Sequence, residues 1–241
     1  MIRAGLSISA VALFVGFALA GPAAAGDANG NFMVRVLGTV VNPDTDVKSL
    51  TSSTVGGPIA GDADVSTEVI PALTLTHFFN KNLAVELFCC FAKHEIEAKG
   101  AFSGVGEIAD TWIFPPALTL QYHFTSMGHF KPYVGAGVQY IAFFDEGTGN
   151  NGLGATSVDI DNAFGFVLQA GADASLGGGW VLNADVKKTW LNTDVTWRNV
   201  PNLGTVRADV DLDPWIFSAG LGYRFNLDDV FGRRSAPPPL K

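Results

Sequence analysis

The chain has 241 residues, a formal net charge of −8, 48% apolar residues and only 16% charged ones. Soluble domains carry about 25% charged residues, so this surface is poor in charge. Phosphate neutralisation needs a basic patch and none is visible, which argues against a nucleic-acid partner.

Arg3, an apolar or small run over residues 4–20 and the small residues Ala23, Ala24 and Ala25 have the order of a cleaved secretory signal, so residues 1–25 are expected to be one. After them no window of 18 consecutive apolar residues occurs, which excludes helical membrane spans. Residues 32–41 (FMVRVLGTVV) put Phe32, Val34, Val36 and Val40 on one face and Arg35 and Thr39 on the other, the period of a strand. LTLTHFF (73–79) and LAVELFCCFAKH (83–94) repeat the alternation, with Thr74, Thr76, Glu86 and His94 opposite Leu73, Leu75, Leu83, Val85 and Leu87. Cys89 and Cys90, the two cysteines, are neighbours in that run, so they point to opposite faces and cannot bridge each other. Without CxxC spacing or a histidine cluster they read as small apolar fillers, and no metal site is expected.

The pattern continues in ALTLQYHF (117–124), PYVGAGVQYIAFF (132–144), AFGFVLQAGADA (163–174), WVLNADVKKTW (180–190) and DPWIFSAGLGYRF (213–225). Gln121, His123, Gln139, Gln169, Asp173, Asn183, Asp185, Ser218 and Arg224 fall on the less apolar faces. Between the strands, connections alternate short, as at Asn80-Lys81-Asn82, and long and polar, as over 42–64, 97–110, 145–158 and 196–210.

A soluble sandwich shares this alternation, but three details favour lipid. Aromatic residues gather near strand ends: Phe78, Phe79, Phe124, Tyr133, Phe143, Phe144, Trp180, Trp190, Trp215, Tyr223 and Phe225. The strands have the length of a tilted span, and short turns alternating with long loops match periplasmic turns and extracellular loops. Because only a closed sheet leaves no unpaired backbone edge in lipid, the expected fold is an all-β, eight-stranded antiparallel up-and-down transmembrane β-barrel over residues 26–225. It would lie in the bacterial outer membrane, with Trp180, Trp190, Trp215, Tyr223 and Phe225 at the interfaces and a flexible periplasmic tail over 226–241.

On PPALTLQYHF (115–124), KPYVGAGVQY with FFD (131–145), WVLNADV (180–186) and LDPWIFSAGLGYRF (212–225) the chain resembles the OmpW family of small outer-membrane barrels. The resemblance implies a narrow, largely hydrophobic interior that passes small hydrophobic compounds, in some members by a lateral exit into the bilayer, and in other members a receptor or stress role. It also implies partners: outer-membrane lipid and lipopolysaccharide, small hydrophobic solutes, and the barrel-assembly machinery, which reads a terminal aromatic strand. Members commonly end at that aromatic residue, here Phe225, whereas this chain continues with NLDDVFGRRSAPPPLK.

Motifs with chemistry of their own are weak. GAG at 135–137 lacks the third glycine of a dinucleotide loop, Tyr140 standing in its place, and reads instead as small residues where strands crowd. DVDLD (209–213) alternates along a strand, and Pro214 stands where a calcium loop needs glycine. His77, His94, His123 and His129 have no GxSxG nucleophile beside them, so an enzyme is not expected and no cofactor is implied. Eight strands leave room for side chains or one slender ligand, not a water channel. By parity Leu37, Phe88, Ile141 and Phe143 face the lumen and are the candidates to line a path for apolar solutes. The leading expectation is therefore a passive channel for small hydrophobic molecules. The alternative is a structural or receptor barrel with a plugged lumen.

Overall fold

The computed structural model describes residues 30–150 and 152–227, so the expected signal (1–25) and nearly all of the expected tail (226–241) lie outside the described residues. Eight strands close into a barrel: β1 (Phe32–Asn42), β5 (Glu68–Phe78), β6 (Leu83–Cys90), β9 (Ala117–His123), β10 (Phe130–Gly147), β12 (Ala163–Gly177), β13 (Trp180–Trp190) and β16 (Trp215–Phe225). Neighbours pair antiparallel in the order β1-β5-β6-β9-β10-β12-β13-β16, and β16 returns to β1, where Phe32 pairs with Phe225 and Asn42 with Trp215. Every barrel strand thus has a partner on both sides. These are the eight strands that the periodicity marks.

Three short turns lie at one end, 79–82, 124–129 and 178–179, together with the start of β1 and the end of β16. Gly178 and Gly179 both have positive φ, 60° and 88°, as the tight β12–β13 hairpin requires. Short turns mark the periplasmic end of such barrels.

At the other end the structure corrects one expectation. The long connections are in large part further strands rather than loops: β2 (Asp46–Ser52), β3 (Gly57–Pro58), β4 (Asp62–Val65), β7 (Ala92–Lys99), β8 (Glu107–Phe114), β11 (Ser157–Ile160), β14 (Asn192–Val200) and β15 (Gly204–Asp211). One sheet runs β11-β14-β15-β2-β3; β4, β7 and β8 extend the barrel sheet along the upper part of β10. Their polar composition hides a regular alternation whose sense is inverted. Along 180–198 the inward residues change from Asn183, Asp185, Lys187 and Thr189 to Leu191, Val195 and Trp197. Over the same stretch the outward ones change from Leu182, Ala184 and Val186 to Asn192, Asp194, Thr196 and Arg198. The exchange occurs at the outward Trp190, where the solvent outside changes from lipid to water. The run 83–99 makes the same exchange at Phe91, from Leu83, Val85 and Leu87 to Lys93, Glu95 and Glu97.

Outward rings form two belts. Phe79, Tyr122, Phe124, Trp180 and Tyr223, with Phe32 and Phe225, ring the periplasmic end, and Phe91, Trp112, Phe114, Phe144, Trp190 and Trp215 ring the other. Rings touch within each belt, as in Trp180 with Tyr223 at 5.1 Å between centroids and Phe91 with Phe114 at 4.9 Å. Between the belts Val36, Leu73, Leu75, Leu87, Leu120, Val134, Leu168, Leu182 and Leu221 are exposed, an apolar wall for acyl chains. Three aromatics expected at the interface lie elsewhere: Phe78, Tyr133 and Phe143 share the parity of the buried positions and point inward, because a strand position fixes the face before side-chain type does.

Gly137 shows why the GAG stretch is small. A Cβ there would collide with the Leu118 carbonyl and stand 2.7 Å from Thr119 Cα, where β9 crosses β10 closely. Gly137→Ala is expected to lower stability by about 1–3 kcal/mol, read as a shift of the urea unfolding midpoint in lipid vesicles.

Candidate functional site: an apolar chamber above a polar plug

The periplasmic half of the lumen is filled by charged and amide side chains. Arg35, fully buried at 0% exposure, stands at its centre. Its Nη2 and Nε donate to the two oxygens of Asp173 at 2.7 and 3.2 Å, and its Nη1 donates to Glu86 Oε2 at 2.6 Å and Thr76 Oγ1 at 2.8 Å. Lys187 adds a second cation, with Nζ 2.5 Å from Asp185 Oδ1 and 3.5 Å from Glu86 Oε1. Gln169 ties the groups together by donating to both Glu86 Oε1 and Asp185 Oδ2, at 2.8 and 2.7 Å. Thr119 and Gln121 donate to its Oε1, and Tyr133 donates to Asp185 Oδ2 at 2.8 Å. These groups come from β1, β5, β6, β9, β10, β12 and β13, so the plug cross-links nearly the whole wall. Buried ions at this density persist because each finds partners.

Above the plug lies an apolar layer containing Leu37, Val41, Phe88, Ile113, Ile141 and Ile216. Lys187 Nζ sits 4.7 Å from the centre of the Phe88 ring and marks the boundary. Higher still, the inward faces of the strand extensions enclose a chamber. Its lining includes Val47, Leu50, Ile96, Ile108, Phe143, Val195, Trp197, Val206 and Val210. Its cavity volume is about 100 Å³, several times the roughly 10–15 Å³ that one water needs, which leaves room for a small ring compound. Of the four sequence candidates, Ile141 and Phe143 line this chamber, whereas Leu37 and Phe88 are packed in the layer beneath it. Most of the lining went unmarked in the sequence, because it stands on segments taken for loops.

The other marked groups disperse. Cys89 faces outward and Cys90 inward, as neighbours in a strand must. Asp209 and Asp211 stand on the outer face of β15, opposite the inward Ala208 and Val210, and Lys48 pairs with Asp211 at 3.1 Å. His123 is buried in the plug, His77 packs between Phe32 and Phe79 at the periplasmic belt, and His129 is exposed in the turn before β10. Only His94 reaches the chamber.

The OmpW family model matches residues 28–225, nearly the whole described chain. The chain belongs to the OmpW family. Outer membrane protein W of Escherichia coli is 32% identical over 223 residues, covering 90% of this chain and 99% of the relative. The crystal structure of the outer membrane protein OprG from Pseudomonas aeruginosa superposes with a TM-score of 0.77 at 28% identity, covering 83% of this chain and 98% of that one. A shorter match, 30% identical over 131 residues and covering 54% of this chain and 59% of the relative, is the dibenzothiophene metabolism operon protein PahQ of Pseudomonas aeruginosa. The protein is thus an outer-membrane β-barrel of the OmpW family. Its interior departs from the largely hydrophobic lumen the resemblance implies: the upper part is apolar, and the periplasmic half is an ionic plug.

The wall of this OmpW barrel also has a seam. Ladder pairing between β5 and β6 ends at Ala72 with Cys90, and pairing between β4 and β7 ends at Val65 with Ile96. Between them, 67–71 face 91–94 without ladder pairs. Pro71 stands at the edge of this stretch, where its missing N–H takes nothing from a ladder. The two sides are held at the top, where Ser66 N donates to the Glu95 carbonyl at 3.0 Å and the Ser66 carbonyl meets His94 Nδ1 at 2.9 Å. Val69 and Phe91 face lipid there, at 75% and 60% exposure.

Proposed function

We propose that this barrel is a passive, non-enzymatic entry route for small apolar molecules across the outer membrane. Solutes enter the chamber from outside and leave sideways through the β5/β7 seam into the bilayer. The observation that carries the reading is the vertical order of the lumen, an apolar chamber resting on a plug of buried ions. An apolar solute gains by leaving water for the chamber, but the plug offers it only desolvation of groups already paired. The seam adjoins the chamber and opposes no ladder hydrogen bonds to parting. The place of PahQ in a dibenzothiophene metabolism operon supports an apolar aromatic cargo.

The test is entry of radiolabelled naphthalene into cells with and without the barrel, at equal expression and membrane integrity. Faster entry with the protein is expected. In the same assay Ile141→Asp, which sets a carboxylate in the chamber wall, is expected to reduce entry about tenfold or more. A plugged lumen also fits a structural or receptor barrel, and equal entry with and without the protein would favour that reading.

A further inference from the structure

The chamber has few polar side chains, and three of them stand on the β7–β8 side and on β14. Its polar lining side chains are Thr45, Asp62, His94, Thr111 and Thr193. His94 and Thr111 stand directly opposite each other in the β7–β8 register, and both are buried. The His94 Nδ1 lies 2.9 Å from the Ser66 carbonyl, which can only accept, so this nitrogen carries the proton. Burial lowers the affinity of the ring for a second proton. Nε2 is then a bare lone pair, and among the described residues it has no hydrogen-bond partner. Thr111 spends its hydroxyl proton on the carbonyls of Trp112 and Phe144, at 3.2 and 3.3 Å, and Thr193 spends its own on the carbonyl of Asp161. What these three side chains have left to offer is acceptor capacity.

We infer that His94 is a specificity-determining residue, and that the chamber selects small ring compounds carrying one N–H or O–H donor over purely hydrocarbon rings of the same shape. Such a ligand buries its ring against Ile96, Ile108 and Val195 and gives its proton to His94 Nε2. A donor brought into an apolar pocket without an acceptor loses its water and gains nothing; here the loss is offset. A hydrocarbon of the same outline leaves Nε2 unpaired and does not recover that energy. The position is also suited to transfer, because His94 stands at the seam. This inference rests on the proposed chamber as the solute site and adds the class of solute it prefers.

Indole and indene make the test, two bicyclic rings that differ by an N–H. Equilibrium binding of each, tritium-labelled, is measured to the whole barrel reconstituted in phosphatidylcholine vesicles, with partition into empty vesicles subtracted. Indole is expected to bind about tenfold more tightly than indene, the range of one net hydrogen bond. His94→Phe is expected to bring the ratio near one by weakening indole alone, and His94→Gln, whose amide can donate to Ser66 and accept from the ligand, to restore part of it. Heat-modifiable gel mobility verifies that each variant is folded. Equal affinity of the wild type for the two rings, or a ratio unmoved by His94→Phe, overturns the inference while leaving the chamber intact. Binding of neither ring overturns both the inference and the chamber reading on which it rests.

Discussion

Arg35→Met is expected to lower the stability of the barrel by about 3–5 kcal/mol, the cost of removing one partner from a buried ion pair. The size of the effect follows from what remains rather than from what leaves. Asp173 loses both of its Arg35 hydrogen bonds and Glu86 loses one, inside a lumen where each is nearly inaccessible to water. Lys187 is 3.5 Å from Glu86 and already pairs with Asp185 at 2.5 Å, so it cannot neutralise all three carboxylates. Equilibrium urea unfolding in lipid vesicles reads the loss as a lower midpoint. The triple variant Arg35→Met, Glu86→Gln, Asp173→Asn removes the stranded charges and is expected to recover most of it. A loss under about 1 kcal/mol, the value of a solvent-exposed pair, would mean that water reaches the plug and that the lumen is open to the periplasm.

The barrel was legible because lipid outside and polar groups inside give each spanning strand a two-sided contrast. Arg35, Glu86, Asp173 and Asp185 all fall on the faces that period 2 assigns to the lumen, and all are buried there. The chamber was not legible for the same reason inverted. Once a strand passes Trp190 or Phe91, water lies outside and the apolar residues turn inward, so Thr193, Val195 and Trp197 alternate with Asn192, Asp194 and Thr196 in a stretch that reads as polar. The available signal was continuity of parity: positions 181–197 keep one sense of alternation without a break, which a loop does not do. Lys187 escaped notice because Lys187 and Lys188 are adjacent, and only strand parity decides that the first is buried with Asp185 while the second reaches the Asp213 carbonyl at 2.6 Å. The plug's register across seven strands comes from pairing over long separations, such as the 138 positions between Arg35 and Asp173, which local pattern does not contain.

A lateral route makes a second large prediction, that closing the seam stops transport while the chamber stays intact. Extending the Ala72–Cys90 register by two residues sets Ile70 against Ala92, and both are buried in the apolar layer under the chamber. Ile70→Cys with Ala92→Cys, in a background with Cys89 and Cys90 changed to alanine, places two thiols across the unladdered stretch. Oxidation is expected to reduce naphthalene entry to the level of cells without the barrel, and a reductant to restore it. The control is Thr39→Cys with Ser218→Cys, whose parent hydroxyls already meet at 2.9 Å across the laddered β1–β16 wall. That bond crosses the lumen wall without touching the seam, so entry should be unchanged. If the β1–β16 crosslink blocks entry and the seam crosslink does not, the solute passes down through the lumen, and the ionic plug must yield to it. The contrast is sharp because the two walls differ in one physical respect: β1 and β16 are held by a continuous ladder from Phe32 to Asn42, whereas 67–71 and 91–94 form no ladder pairs below the Ser66 hydrogen bonds, and can part and re-form without breaking ladder hydrogen bonds in lipid.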